Sequence, residues 1–209
     1  MPPSGECVLA IDTSQEPLSL ALRTGTGKII SFHRPLGRPH DETMLPRVKQ
    51  ILAKAQLSLD DLRAVAVASG TGAFTGIRIG MSYAAVLCSR LGIPALAISR
   101  LEALAFKSGE VAEGRGARTL VSLEGWRSER YCQEFSMRSR APKALGKPIW
   151  VRAEDWPRIR SEAAAAAARI VEDSTKALEL LAPALQKLEA MKLPSFRPLY
   201  LKPASFERR

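Results

Sequence analysis

Only 6% of the 209 residues are aromatic, three are cysteine and two are histidine, and each scarcity removes a class of chemistry. Cys7, Cys88 and Cys132 stand far apart, so no CxxC pair exists for metal or redox work, and an odd count suits a reducing compartment better than a disulfide framework. His33 and His40 belong to no HExxH or HxxxH pair, so a zinc site is not expected, and no cofactor is expected either. No apolar run approaches the ~20 residues of a membrane span, and the opening MPPSGECVLAIDTS has no basic segment ahead of a long apolar one; both point to a cytoplasmic chain without membrane contact. A GxSxG elbow and an SxxK motif are missing, which leaves a serine hydrolase without support. No repeat of 20 to 50 residues is visible.

What is present is the composition of a globular protein, 46% hydrophobic and 25% charged, on a chain long enough to bury roughly 70% of its unfolded surface. Lys and Arg number 31 against 21 Asp and Glu, a formal charge of +10. Such a field attracts polyanions, although it also serves solubility. The densest basic stretch runs from Arg138 to Arg160 and contains Trp150 and Trp156. It reads either as an RNA-binding patch, with Arg138, Arg140 and Arg152 as contacts, or as a solvated face with two partly buried tryptophans.

Periodicity predicts strands over Cys7 to Ile11, Leu18 to Leu22 and Lys28 to His33, then a helix from His40 to Gln56 whose apolar positions fall at helical spacing. A strand at Ala64 to Ala68, a helix at Phe74 to Leu91, a strand at Pro94 to Ile98 and a helical turn at Leu101 to Phe106 complete a βββαβα order. The small, polar segment SGEVAEGRGA marks a boundary, giving a first lobe of residues 1–108 and a second of 109–209. Beyond it, Arg118 to Leu123 and Glu129 to Ser136 read as a hairpin, the alanines from Ala163 to Ala168 as helix, and Ser174 to Met191 as a last helix bent at Pro183.

Three features could carry chemistry. The loop Gly70-Thr71-Gly72-Ala73-Phe74-Thr75-Gly76 lies where a strand hands over to a helix, a place suited to phosphate, yet its spacing is neither GxGxxG nor a Walker loop. Asp12-Thr13-Ser14 ends the first strand, where it could hold a metal-bound phosphate or simply form a turn bonded to its own backbone. Gly76, Gly80, Ala84 and Cys88 recur every four residues and make a strip of small side chains. Such a strip admits a second helix closely; it would pack either on a partner or on the chain's own sheet.

Taken together, LAIDTS (Leu9 to Ser14), SGTGAFTGIRIG (Ser69 to Gly80), LGIPALAISRLEALA (Leu91 to Ala105) and the closing Pro198-Leu199-Tyr200-Leu201-Lys202 resemble the TsaB (YeaZ) family. His40, Leu45 and Pro46 also match that family's helix start, whereas Leu123-Glu124-Gly125-Trp126-Arg127 departs from its second-lobe pattern. The resemblance implies a two-lobed α/β fold of the ASKHA (actin, sugar kinase, Hsp70-like; ribonuclease H-like) class. Each lobe would be a mixed sheet with flanking helices, the second lobe reduced. It further implies a non-catalytic subunit of the machinery that installs threonylcarbamoyl on adenosine 37 of tRNA, paired with the catalytic TsaD subunit and the ATPase TsaE, or forming a homodimer when alone. The implied partner face comprises His40, Met44, Val48, Phe74, Gly76, Ile77, Gly80, Met81, Ala84 and Cys88, with Asp12, Thr13, Ser14, Gly70 and Gly72 as a vestigial nucleotide site and tRNA reached through the complex. On that reading Gly80→Leu leaves the monomer folded and abolishes partner binding. A free-standing ASKHA kinase or ATPase and a dedicated tRNA-binding module are the alternatives.

Overall fold

The first strand, β1 (Val8–Asp12), is apolar on both faces because strands flank it on either side and helices cover it above and below. β2 (Leu18–Arg23) and β3 (Ile29–Arg34) follow as an antiparallel meander, then α1 (His40–Lys54), β4 (Ala64–Ala68), α2 (Phe74–Leu91), β5 (Ala95–Ile98) and α3 (Arg100–Glu110). β4 and β5 add in parallel, so the sheet order is β3-β2-β1-β4-β5. The computed structural model describes residues 6–34, 40–110, 118–139, 141–190 and 196–201.

Alternation of side-chain size sets the layers. Leu9 and Ile11 of β1, Leu18, Leu20 and Leu22 of β2, and Val65 and Val67 of β4 point to one face, where they meet Met44, Val48, Ile51 and Leu52 of α1 and Ile77 and Met81 of α2. The opposite face carries Ala10, Ala21, Ala64, Ala66 and Ala68. Those small residues let the 3-10 turn Ala177–Leu180 and α5 (Leu181–Glu189) sit close to the sheet. The Ala177 amide donates to the Ser19 hydroxyl at 2.9 Å there. The last helix therefore covers the first sheet, although in sequence it lies well beyond the boundary expected at 108/109.

The second sheet repeats the plan in shortened form. β6 (Arg118–Glu124) and β7 (Arg130–Ser136) form the expected hairpin, β8 (Lys143–Ala144) and β9 (Ile149–Val151) both pair with β7, and β10 (Arg169–Glu172) returns parallel to β6 after α4 (Trp156–Ala165). α4 packs outside on Leu120, Cys132 and Val151. Leu101, Leu104 and Ala105 of α3 fill the inner face against Val121, Leu123 and Phe135. The order of layers is α1 and α2, sheet, α3 and α5, sheet, α4, which is the two-lobed mixed α/β frame implied above; among the described residues the second lobe shows no counterpart to α2 and β5.

Three elements differ from the sequence expectations. The alanine-rich helix starts at Trp156 and stops at Ala165, because Ala167 turns to φ 53° and Ala168 is drawn into the core so that β10 can pair with β6. Ser174–Lys176 is not helical, and Pro183 lies in the first turn of α5, where its missing N–H has no helical acceptor to lose, so it causes no bend in the helix. α3 continues through Glu110, past the expected end at Phe106. Residues 111–117 of the glycine-rich boundary lie outside the described residues.

Candidate functional site

Asp12 sits at the carboxyl end of β1, where the strand stops and exposes a turn. Its Oδ1 accepts from the Ser14 amide at 2.9 Å and from the Ser14 hydroxyl at 2.6 Å, the side-chain-to-backbone turn that such a triplet favours. Its Oδ2 makes no hydrogen bond and faces the Arg100 Nε at 3.6 Å, both groups being almost wholly buried. Arg100, the first residue of α3, donates to the Thr71 carbonyl at 2.6 Å and to the Thr175 hydroxyl at 2.8 Å. Burial pulls its pKa down, and the Asp12 carboxylate opposes that shift. A buried charge needs both a counter-ion and hydrogen bonds; here Asp12 and Arg100 are each other's counter-ion, while Ser14, Thr71 and Thr175 supply the hydrogen bonds.

The two candidate loops are pressed together above this pair. The Thr13 hydroxyl donates to the Gly76 carbonyl at 2.7 Å, and the Ala73 amide to the Ser14 carbonyl at 2.7 Å. A Cβ placed on Gly72 would lie 2.2 Å from the Ser14 carbonyl oxygen, and one on Gly76 would lie 2.0 Å from that of Thr13. Gly70 is similarly closed by the Leu199 carbonyl at 2.2 Å. The glycines serve backbone-to-backbone contact, so the residues present offer no cradle for a phosphate between the loops.

The small-residue strip is corrected by the same geometry. Gly76, Gly80, Ala84 and Cys88 are all buried, together with Ile77 and Met81, and the strip faces β1 and β4. A Cβ on Gly80 would meet the Thr13 Oγ1 at 2.3 Å and the Val67 Cγ2 at 3.3 Å. Met44 and Val48 of α1 are buried in the same core, and the His40 side chain lies outside the described residues. Of the ten residues expected on a partner face, only Phe74 is shown exposed, at 48%.

The outward face at the start of α2 carries a different set. The Phe74 and Tyr200 rings stack with centroids 4.8 Å apart, the Arg78 guanidinium lies 3.9 Å above the Phe74 ring, and its Nε donates to the Tyr200 hydroxyl at 3.3 Å. Val86, two turns further along α2, is 71% exposed, and Leu45 of α1 is also exposed. Tyr200 reaches this place because the Leu199 amide bonds the Ser69 carbonyl, which ties the closing segment to the end of β4.

A family model described as "TsaD: tRNA N6-adenosine threonylcarbamoyltransferase" matches residues 28–140, more than half of the chain. The chain belongs to the TsaB (YeaZ) family. The tRNA threonylcarbamoyladenosine biosynthesis protein TsaB of Escherichia coli (strain K12) is 33% identical over 128 residues, 61% of this chain and 54% of that protein. The protein of the same name in Bacillus subtilis (strain 168) is 36% identical over 115 residues, 55% and 48%. The chain spans about half the length of the curated relatives it matches. A Pseudomonas aeruginosa structure titled as an uncharacterized protein with similarity to peptidase YEAZ superposes with a TM-score of 0.75 at 25% identity, covering 94% of this chain and all of that one.

In this TsaB-family chain the residues that carried the resemblance form one cluster: LAIDTS supplies Asp12, SGTGAFTGIRIG supplies the closing loop, and SRLEALA supplies Arg100. Sequence reasoning missed Arg100 as the counter-ion of Asp12, and Thr71 and Thr175 as the acceptors that hold Arg100; the signal available was an arginine leading α3 just after a buried strand. It also missed Arg78 and placed Tyr200 only as part of an extended tail. The basic stretch does not converge. Arg152 pairs with Glu154 at 3.6 Å, Arg158 with Glu162 at 2.8 Å and Arg160 with Glu172 at 3.1 Å, while Arg138 is exposed and Arg140 lies outside the described residues. Among the described residues, no helix is long and apolar enough to cross a membrane.

Proposed function

We propose that the chain is a non-catalytic subunit of the machinery that places threonylcarbamoyl on adenosine 37 of tRNA, docking on the catalytic TsaD subunit and working with the ATPase TsaE. The observation that carries the non-catalytic part is the Asp12–Arg100 pair. In an ASKHA frame the carboxylate at the end of the first strand is the acidic position offered to a metal-bound phosphate, and here an internal guanidinium occupies it while the loops above are in van der Waals contact. The names of the relatives support the pathway. Docking falls to the outward face of α1 and α2, with Phe74, Arg78 and Tyr200 as an aromatic and arginine anchor and Leu45 and Val86 as apolar surface around it. The same face supports a homodimer in the absence of TsaD, because a two-fold axis makes one patch its own complement.

Co-expression with TsaD followed by size-exclusion chromatography tests the assignment. The wild-type chain is expected to co-elute with TsaD. Val86→Asp, a change on an exposed position, is expected to elute alone with an unchanged Tm. Separate elution of the wild-type proteins at micromolar concentration overturns the reading.

A further inference from the structure

A second charged surface lies on the far flank of α1. Between β3 and α1 runs a cleft of about 410 Å³ whose lining includes Phe32, His33, Arg34, Arg47, Gln50 and Lys54, with no carboxylate among the described residues that line it. Arg47, Gln50 and Lys54 share one side of α1 at helical spacing, whereas Leu45 and Lys49 lie on the other. The Arg47 guanidinium is held in place, stacked 5.1 Å above the Phe32 ring and donating to the Gln50 Oε1 at 2.8 Å. A stacked guanidinium loses little further freedom when its remaining N–H groups meet an anion. The His33 side chain, opposite Ser19 in the β2–β3 register, turns to the other face of the sheet beside Lys176, so the strand brings Phe32 and Arg34 to the cleft. The contrast with the Arg138–Arg160 stretch is direct. There the guanidinium groups of Arg152, Arg158 and Arg160 are spent on neighbouring carboxylates; Arg34, Arg47 and Lys54 form no ion pair with a described carboxylate.

We propose that this cleft binds phosphate groups, with Arg34, Arg47 and Lys54 as the charge and Arg47 as the prepositioned donor. The ligand class is phosphate, carried either by an RNA backbone or by a small phosphate compound. The inference concerns this chain's own surface and does not rest on the partner assignment above.

The test uses the full chain, a fluorescein-labelled RNA stem-loop followed by anisotropy between 50 and 200 mM salt, and pyrophosphate followed by calorimetry. If the source is RNA, the wild type binds the stem-loop with a negative salt slope. In the triple variant R34Q/R47Q/K54Q that slope flattens by about 2, since each neutralised phosphate contributes about 0.7, and binding weakens on the order of 100-fold at ~0.1 M salt. If the source is a small compound, pyrophosphate binds the wild type stoichiometrically, the triple variant loses that signal, and the stem-loop does not compete. Lys54→Gln alone, at the exposed end of α1, flattens the slope by about 0.7 and guards against a folding defect in the triple variant. Failure of the wild type to bind either probe overturns the proposal, as does a correctly folded triple variant that binds both as the wild type does.

Discussion

Replacing Arg100 with methionine keeps most of the side-chain volume and removes only the guanidinium. Three groups then lose their partner at once: the Asp12 carboxylate, the Thr71 carbonyl and the Thr175 hydroxyl, each nearly inaccessible to water. Breaking a buried ion pair from one side costs about 3–5 kcal/mol, and an orphaned buried carbonyl about 1–3 kcal/mol more. Taking ~5 kcal/mol as the sum, and ~2–4 °C of Tm per kcal/mol for a domain of this size, the variant is expected to melt ~10–20 °C below the wild type. Asp12→Asn leaves Arg100 without its counter-ion and is expected to cost nearly as much. The double variant Asp12→Asn with Arg100→Met removes both charges, so its loss falls short of the summed single losses by about 1–3 kcal/mol. Urea unfolding followed by far-UV circular dichroism measures all four corners of this cycle. The pair is shielded from solvent, so raising salt from 50 to 500 mM leaves the coupling in place. A cost below 1 kcal/mol for Arg100→Met, or strict additivity in the double variant, refutes the view that this pair holds the two loops and α3 together.

Further outcomes follow from the same contacts. Gly80→Ala is expected to destabilise the chain by about 2–3 kcal/mol in chemical denaturation, because the added methyl drives into the Thr13 hydroxyl and Val67; a change within 0.5 kcal/mol would show that the strip has room for a partner after all. Cys7, Cys88 and Cys132 are buried and burial raises all three thiols, Cys88 to about 11, so a thiol reagent at pH 8 should label none of them rapidly until denaturant is added. Asp61 lies below its ordinary 3.8 because the Ser58 amide and hydroxyl donate to it, and Asp173 because Lys107 does. With the folded pKa below the unfolded one, their stabilisation is complete above the ordinary carboxylate range and is lost as pH falls through the folded values. An acid titration of Tm should therefore fall less steeply below pH 4 for Asp173→Asn than for the wild type.

The first lobe was legible because its signals are local. The strand at Ala64–Ala68 and the helix at Phe74–Leu91 stand where periodicity put them, the helix closing on Gly92 in the left-handed conformation with its N–H on the Cys88 carbonyl. The second lobe was not, because β8, β9 and β10 are two to four residues long and owe their existence to pairing with β6 and β7. Alanine propensity over Ala163–Ala168 ran the expected helix across the start of that non-local pairing. The site divides the same way. Asp12 was visible as an acid ending a strand, but its partner is 88 positions away, and nothing in residue type separates an arginine that neutralises it from one that faces water. The strip on α2 shows a further limit, since small residues at four-residue spacing look alike whether the surface they meet belongs to another chain or to the strand before them.

The alanine face of the first sheet has a consequence for synthesis. Apart from Ala103 of α3, its cover comes from Ala177, Leu180, Leu181 and Ala184, some 80 residues after the last strand of that sheet, which ends at Ile98. At ~5–20 residues per second, a nascent chain holds that apolar face open for roughly 4–16 s after β5 has been made. A chain cut after residue 110 never closes it. Such a fragment exposes a strip of small apolar side chains on a sheet, the transiently open apolar surface that makes a chain aggregation-prone, so nascent chains stalled in the second lobe are candidates for chaperone binding.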